Sequence, residues 1–129
     1  MSKKPSAPGR FAYEGLDRVV HERARLSIIT SLATHREGLV FSELKQLCAL
    51  TDGNLSRHLD VLKEAGLVEI WKGYEGRRPQ TLVRLTRTGR QRFLGYLAEL
   101  ERLLQDAQHA KEAPAARPAR SPRFAADPA

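Results

Sequence analysis

LTDGNLSRHLDVLKEAG, Leu50 to Gly66, decides the fold of this chain, together with the adjoining LVEIWKGYEGRRPQTLVRL, Leu67 to Leu85. In the first part Leu55, Leu59 and Leu62 recur at i, i+4 and i+7, a single apolar stripe that predicts a helix. Thr51 or Asp52 offers an N-cap oxygen at its start, and Gly66 supplies a left-handed stop. The opposite face carries Asn54, Ser56, Arg57, Asp60 and Lys63. A leucine underside below a polar, bidentate-capable top suits insertion into a partner that offers hydrogen-bond edges, and the DNA major groove is the commonest such partner. The same pattern also fits an ordinary amphipathic surface helix. The segment after Gly66 decides between them.

There the period changes from helical to alternating. Leu67, Val68, Ile70 and Trp71 predict one strand, and Leu82, Val83 and Leu85 a second. Between them KGYEGRRPQ, Lys72 to Gln80, reads as a turn with Arg77 and Arg78 near its tip. From Lys72 to Arg92 there are seven Lys/Arg against the single acid Glu75, a net +6 out of +7 for the whole protein. An arginine-tipped hairpin beside a groove-reading helix suits phosphate and narrow minor-groove contact.

Three segments in this order carry a resemblance: FSELKQLCAL (Phe41 to Leu50), TDGNLSRHLDVLKEAGLVE (Thr51 to Glu69), and a basic hairpin ending in RRPQTLVRLT before a long helix. The chain resembles winged helix-turn-helix transcriptional regulators, closest to the MarR/ArsR-type group. The likeness runs from about Leu16 to Leu104, and SRHLDVLKEAGLV is its most specific part. It implies a mainly α fold with a small β-hairpin: a three-helix core, a wing and a long C-terminal helix. It also implies double-stranded DNA as partner and a homodimer. In that family the helix matching Asp52 to Ala65 enters the major groove, and the hairpin matching Lys72 to Gln80 is the wing.

At 129 residues the chain makes one domain with a modest core. Aromatic residues are few, so leucine and valine must carry the packing. A pI near 10.1 points to a polyanion. A membrane surface is the other common partner of basic proteins, but here the charge sits on a hairpin and not along an amphipathic helix. One cysteine, Cys48, excludes an internal disulfide and fits a reducing cytoplasm, the expected location. No apolar run approaches the ~20 residues of a membrane span. MSKKPSAPGR is basic without an apolar core, so it is not expected to be a secretory signal.

Residues 1–13 are expected to form a flexible basic arm, either a plain disordered end or one that reaches a minor groove. The DNA-binding domain is expected over 14–110. Its first helix is predicted over Leu16 to Ala33, apolar over so wide an arc that it must bury two sides. Thr34 to Gly38 close it, and Leu39 to Phe41 form a short run that can join the hairpin sheet. Ser42 then caps a helix to about Leu50, with Leu44 and Leu47 as its core side. This helix supports the reading helix and touches the DNA backbone. Thr86 begins the last helix, 86–110, where Phe93, Leu97, Leu100, Leu104 and Ala107 step by 4, 3, 4 and 3 as a coiled-coil-like seam. The seam, with Leu16 and Val20 of the first helix, is the expected dimer interface: Leu16, Val20, Phe93, Leu97, Leu100 and Leu104. Residues 111–129 are rich in Pro, Ala and Arg and are expected to be a disordered tail.

No Walker loop, nucleophile elbow or paired carboxylates are present, so no catalysis and no cofactor are expected. His21, His35, His58 and His109 are scattered, and none lies at ligand spacing with Cys48. Tetrahedral zinc needs three or four ligands, so metal as effector is doubtful and Cys48 reads as a half-buried small residue. Asn54, Ser56 and Arg57 are expected to reach base edges, helped by Thr51 and Asp52 at the helix start. Asn pairs with adenine and Arg with guanine in bidentate fashion. His58 reads either as a phosphate contact or as a packed residue at the helix–hairpin junction. Lys72, Arg77 and Arg78 are the expected wing contacts. The sum predicts a sequence-specific regulator acting as a homodimer on a near-palindromic operator. The alternative is a winged-helix module that docks protein or binds nucleic acid non-specifically. A single-strand binder would want aromatics interleaved with the basic residues, and Trp71 alternates as a sheet residue instead.

Overall fold

The computed structural model describes residues 7–115. Its elements are α1 (Arg23–Ala33), β1 (Leu39–Val40), α2 (Phe41–Cys48), α3 (Asp52–Glu64), β2 (Val68–Glu75), β3 (Arg78–Leu85) and α4 (Arg87–Glu112). α3 forms as the sequence indicates. The Thr51 hydroxyl accepts the Asn54 N–H at 3.1 Å, and Gly66, at φ +77°, ends the segment. Leu55, Leu59 and Leu62 are buried and meet Ile28, Ile29 and Leu32 of α1, Leu44 of α2, and Val68, Val83 and Leu85 of the sheet. Phe93 and Tyr96 of α4 close this core.

The sheet order is β1-β3-β2, both pairings antiparallel. The short run at Leu39 does join the hairpin: Leu39 pairs with Val83 and Val40 with Leu82. Gly38, at φ +98°, permits the approach, since a Cβ there would lie 2.7 Å from the Val83 carbonyl oxygen. The hairpin is longer than predicted. Its ladder runs out to Glu75 opposite Arg78, leaving only Gly76 and Arg77 in the turn, with Gly76 at φ +66°. Lys72, Gly73, Tyr74 and Pro79 pair their backbones while projecting into solvent, so no apolar alternation marked them as strand. Pro79 is tolerated because β1 covers only Leu82 and Val83, leaving this half of β3 an edge. These elements are the winged helix-turn-helix arrangement that the sequence resembles.

The first helix is shorter than the predicted span. Asp17 accepts the N–H groups of Val19 and Val20 at 2.9 and 3.3 Å and makes its own turn. Glu22 then caps α1 by accepting the Arg25 N–H at 2.9 Å. Two local carboxylate caps in succession break what apolar spacing alone reads as one helix. In α2 the buried side is Leu44 with half-buried Cys48, one turn apart, while Leu47 faces out. The predicted pairing of Leu44 with Leu47 chose the wrong neighbour. The helix starts at Phe41, one residue before Ser42, and Glu43 accepts the Val40 N–H at 3.3 Å.

Residues 1–6 of the expected arm, and the expected tail from 116 on, lie outside the described residues. Arg10 to Gly15, however, run against α4. Arg10 grips Asp106 with two bonds of 2.8 and 3.0 Å, and the Tyr13 hydroxyl donates to the same carboxylate at 2.5 Å. Arg102 stacks over the Tyr13 ring and donates to the Arg10 carbonyl. Glu99 accepts the Gly15 N–H. Glu99, Arg102 and Asp106 share one face of α4, so these residues form a strap along it. The Arg10 guanidinium, and after it the Tyr13 hydroxyl, hold the Asp106 carboxyl at about 2, below its ordinary 3.8. A carboxyl depressed on folding contributes stability above its unfolded value and loses it as pH falls through the folded one. Asp106→Asn is therefore expected to melt below wild type at pH 5, with the gap closing between about pH 4 and 2. Thermal unfolding of both proteins across that range checks this, and a gap that stays constant to pH 2 would contradict it.

Candidate nucleic-acid interface

α3 presents a solvent face of Thr51, Asp52, Gly53, Asn54, Ser56, Arg57 and Asp60, all exposed. Arg57 donates to the Asn54 side-chain oxygen at 3.2 Å, so the two most base-competent side chains stand together, one turn apart. Thr51 uses its oxygen as the helix cap and keeps its hydroxyl proton to donate. Asp52 is paired with Lys45 of α2 at 2.9 Å, tying the two helices of the motif across their turn. Gly53 has open space where a Cβ would stand. Its lack of a side chain is not required by packing, and it bares the first-turn N–H groups of α3 to an approaching anion. Sequence reading passed over Gly53, although a glycine just inside an N-cap is the available signal.

His58 does not belong to this face. It is 8% exposed, because it lies three residues after Leu55 and four before Leu62, on the buried stripe. It is a packed residue, as one of the two readings had it, but its ring meets Arg25 and Glu22 at the start of α1 and not the helix–hairpin junction. Helical spacing alone was enough to place it.

On the wing, Lys72, Arg77 and Arg78 are all exposed. Strand alternation separates them. Lys72 lies on the same side as Val68 and Ile70, facing α3, and Arg78 lies on the other, with Arg77 in the turn. Lys72 and Ser56 line one small hollow of ≈150 Å³ with Asp60, Phe41 and Thr81, so the wing and α3 meet there. Arg78 lines a second hollow with Ser42, at the start of α2, and Gln80. Each hollow sets one cation beside one carboxylate, Lys72 with Asp60 in the first and Arg78 with Glu75 in the second.

The positive cluster is less concentrated in space than in sequence. Arg92 is bound to Asp17 at 2.7 Å, Arg90 donates to the Ala33 carbonyl at 3.4 Å, and Arg84 stacks on Trp71 at 4.6 Å. Of the three, only Arg92 meets a carboxylate, and Arg84 stays exposed. Among the described residues Lys72, Arg77 and Arg78 on the wing, and Arg87 at the start of α4, are exposed and make no ion pair.

The residues expected at a dimer interface divide. Val20 and Phe93 are buried in the chain's own core and offer no surface to a partner. Phe93 belongs to the inward stripe Gly89, Phe93, Tyr96 and Leu100, which adjoins a second, outward stripe of Leu94, Leu97 and Leu104. Leu97 is 39% exposed and Leu104 59%, while Leu16 and Leu100 are half-buried. The 4-3-4-3 pattern drew one line through two adjacent faces.

Among the described residues, no three His, Cys, Asp or Glu side chains are grouped to hold a metal ion. Burial pushes the Cys48 thiol up, and its sulfur lies 3.6 Å from the Ser31 hydroxyl. No described helix is long and apolar enough to cross a membrane.

Residues 24–104 match the family model of the winged helix DNA-binding domain. Over 68 residues the chain is 38% identical to an uncharacterized protein of Methanocaldococcus jannaschii, covering 53% of this chain and 74% of that one. Among solved structures it is similar to the transcriptional regulator homologue protein from Pyrococcus horikoshii OT3, with a TM-score of 0.68 and 29% identity, covering 74% of this chain and 95% of that one. The M. tuberculosis transcriptional regulator MOSR, solved in complex with DNA, shares the fold at a TM-score of 0.55 and 19% identity, covering 78% of this chain and 74% of that one.

Proposed function

This chain belongs to the winged helix DNA-binding domain family, and from that premise we propose that it is a sequence-specific regulator of transcription that binds duplex DNA as a homodimer. The observation that carries the reading is the convergence of two exposed surfaces. Ser56 and Asp60 of α3 meet the Lys72 side of the wing at one hollow, and the paired Asn54 and Arg57 stand exposed beside them on the same helix, suited to base edges as Lys72 is to phosphate. Thr51 and Gly53 would add donors to the backbone at the helix start, and Asp52 would hold α2 in place. The domain would span 14–110. Leu94, Leu97 and Leu104 would pair two copies along α4, with Leu16 and Leu100 at the margin. Two-fold symmetry then calls for a near-palindromic operator with half-sites about 10 bp apart or a multiple of that. The Pyrococcus horikoshii protein, called a transcriptional regulator homologue, is consistent with this role.

Salt dependence tests the electrostatic half. Three wing cations per protomer, doubled in a dimer, predict a slope of log K against log salt on the order of −5. Arg78→Ala is expected to weaken binding to all duplexes alike and to flatten the slope by about 2 in the dimer, one phosphate per protomer. Fluorescence anisotropy on a random duplex at stepped salt measures both. An unchanged slope would remove Arg78 from the contact.

A further inference from the structure

His58 is a buried titratable group on the DNA-reading helix that DNA contact leaves unused. Its Nδ1 lies 3.3 Å from the Arg25 guanidinium and 3.9 Å from the Glu22 carboxylate. A guanidinium has only donors, so the contact with Arg25 requires an unprotonated Nδ1, with the ring proton on Nε2. Adding a second proton removes that acceptor and sets two cations side by side. It also gives Nδ1 a proton to share with Glu22, whose carboxylate lies 3.9 Å away.

Both partners are structural parts of the start of α1. Glu22 caps the helix through the Arg25 N–H at 2.9 Å, and Arg25 Nε holds the Val19 carbonyl at 2.7 Å. A change of partner at His58 is therefore a change in how α3 is seated against α1. The other charged groups nearby are engaged elsewhere. His21 is bonded to Tyr96 at 2.7 Å, and Lys72 of β2 meets α3 at Ser56 and Asp60. Arg57 and Asp60, the charged neighbours on α3 itself, point to solvent.

We propose that His58 is a positioning residue: its neutral ring, held by Arg25, fixes the seating of α3 and so the aim of Asn54 and Arg57, and protonation releases that hold. The effect on DNA rests on the base-reading role of α3 proposed above; the contact itself does not. The sign of the effect is distinctive. An added proton raises the positive charge and so favours any DNA, whereas a loosened α3 lowers preference for the right sequence over a random one.

The test has two arms. Ring-nitrogen NMR on the full chain without DNA, followed across a pH titration of the folded protein, should show the Nε2–H form at pH 8. The backbone amides of Asn54 to Arg57 should then move with the His58 titration. Nδ1 protonated at pH 8, or amides that ignore the titration, would overturn the proposal. In the second arm, the ratio of affinities for a selected and a random duplex should fall about tenfold over the same range, the worth of one charge-assisted hydrogen bond. His58→Asn keeps an uncharged acceptor near the place of Nδ1, so its ratio should stay flat. Equal pH curves for the two proteins would overturn the proposal. If no duplex can be selected, the base-reading premise fails, and the NMR arm still decides the contact.

Discussion

Gly89→Ala is expected to destabilise the protein by about 3 kcal/mol, a fall in melting temperature of roughly 10–20 °C for a domain of this size. Gly89 lies in the first turn of α4, and a Cβ there would overlap the Leu67 carbonyl oxygen while standing 2.9 Å from Leu85 Cδ1. The obstruction is backbone and cannot swing away. That carbonyl also accepts the Thr86 N–H at 2.9 Å, and the Thr86 hydroxyl both donates to the Gly66 carbonyl and caps α4. Moving it disturbs the junction where the wing returns to the core. The sign makes the prediction sharp, because glycine to alanine inside a helix ordinarily stabilises by about 0.5–1 kcal/mol. Gly95, on the same helix with open space at its Cβ, provides the comparison. Gly95→Ala should raise the melting temperature while Gly89→Ala lowers it, and parallel shifts in the two would refute the packing described here.

Arg57→Ala is expected to cost roughly 1–3 kcal/mol on the preferred duplex and far less on a random one. The guanidinium is exposed, is oriented by Asn54 and stands on a helix whose opposite face is locked by Leu55, Leu59 and Leu62. A bidentate contact to guanine discriminates only when the helix beneath it is held in place. Removing the side chain therefore erases preference at one base pair per half-site and leaves phosphate binding intact. Competition titrations with both duplexes measure the two losses together. Equal losses would mean that Arg57 binds phosphate and reads no base.

The reading helix was legible because its evidence is local. The leucines Leu55, Leu59 and Leu62 and the stop at Gly66 fall within one short segment, where the sequence put them, and of the two caps it offered, Thr51 and Asp52, Thr51 is the one used. The start of the last helix was read within one residue, Thr86 proving to be its cap and Arg87 its first helical residue. What sequence missed depends on partners distant in the chain. The strap from Arg10 to Gly15 is held by Glu99, Arg102 and Asp106, roughly 90 residues away. The split of the basic cluster depends on Asp17 and Trp71. The outer hairpin is strand by backbone pairing alone, and its side chains carry no apolar rhythm. His58 is the exception. Its spacing from Leu55 and Leu62 placed it on the buried stripe, but its chemistry drew attention to DNA first.

A winged helix that reads a two-fold sequence as a dimer is tested most directly by selecting bound sequences from random duplex DNA at about 0.15 M salt, with the mass of the complex recorded alongside. Physiological salt weakens purely electrostatic binding, so enrichment above that background reports reading of bases or shape. Enrichment of an inverted repeat, held by two copies of the chain, is the predicted result. Binding with no enriched sequence, or by a single copy, would contradict it.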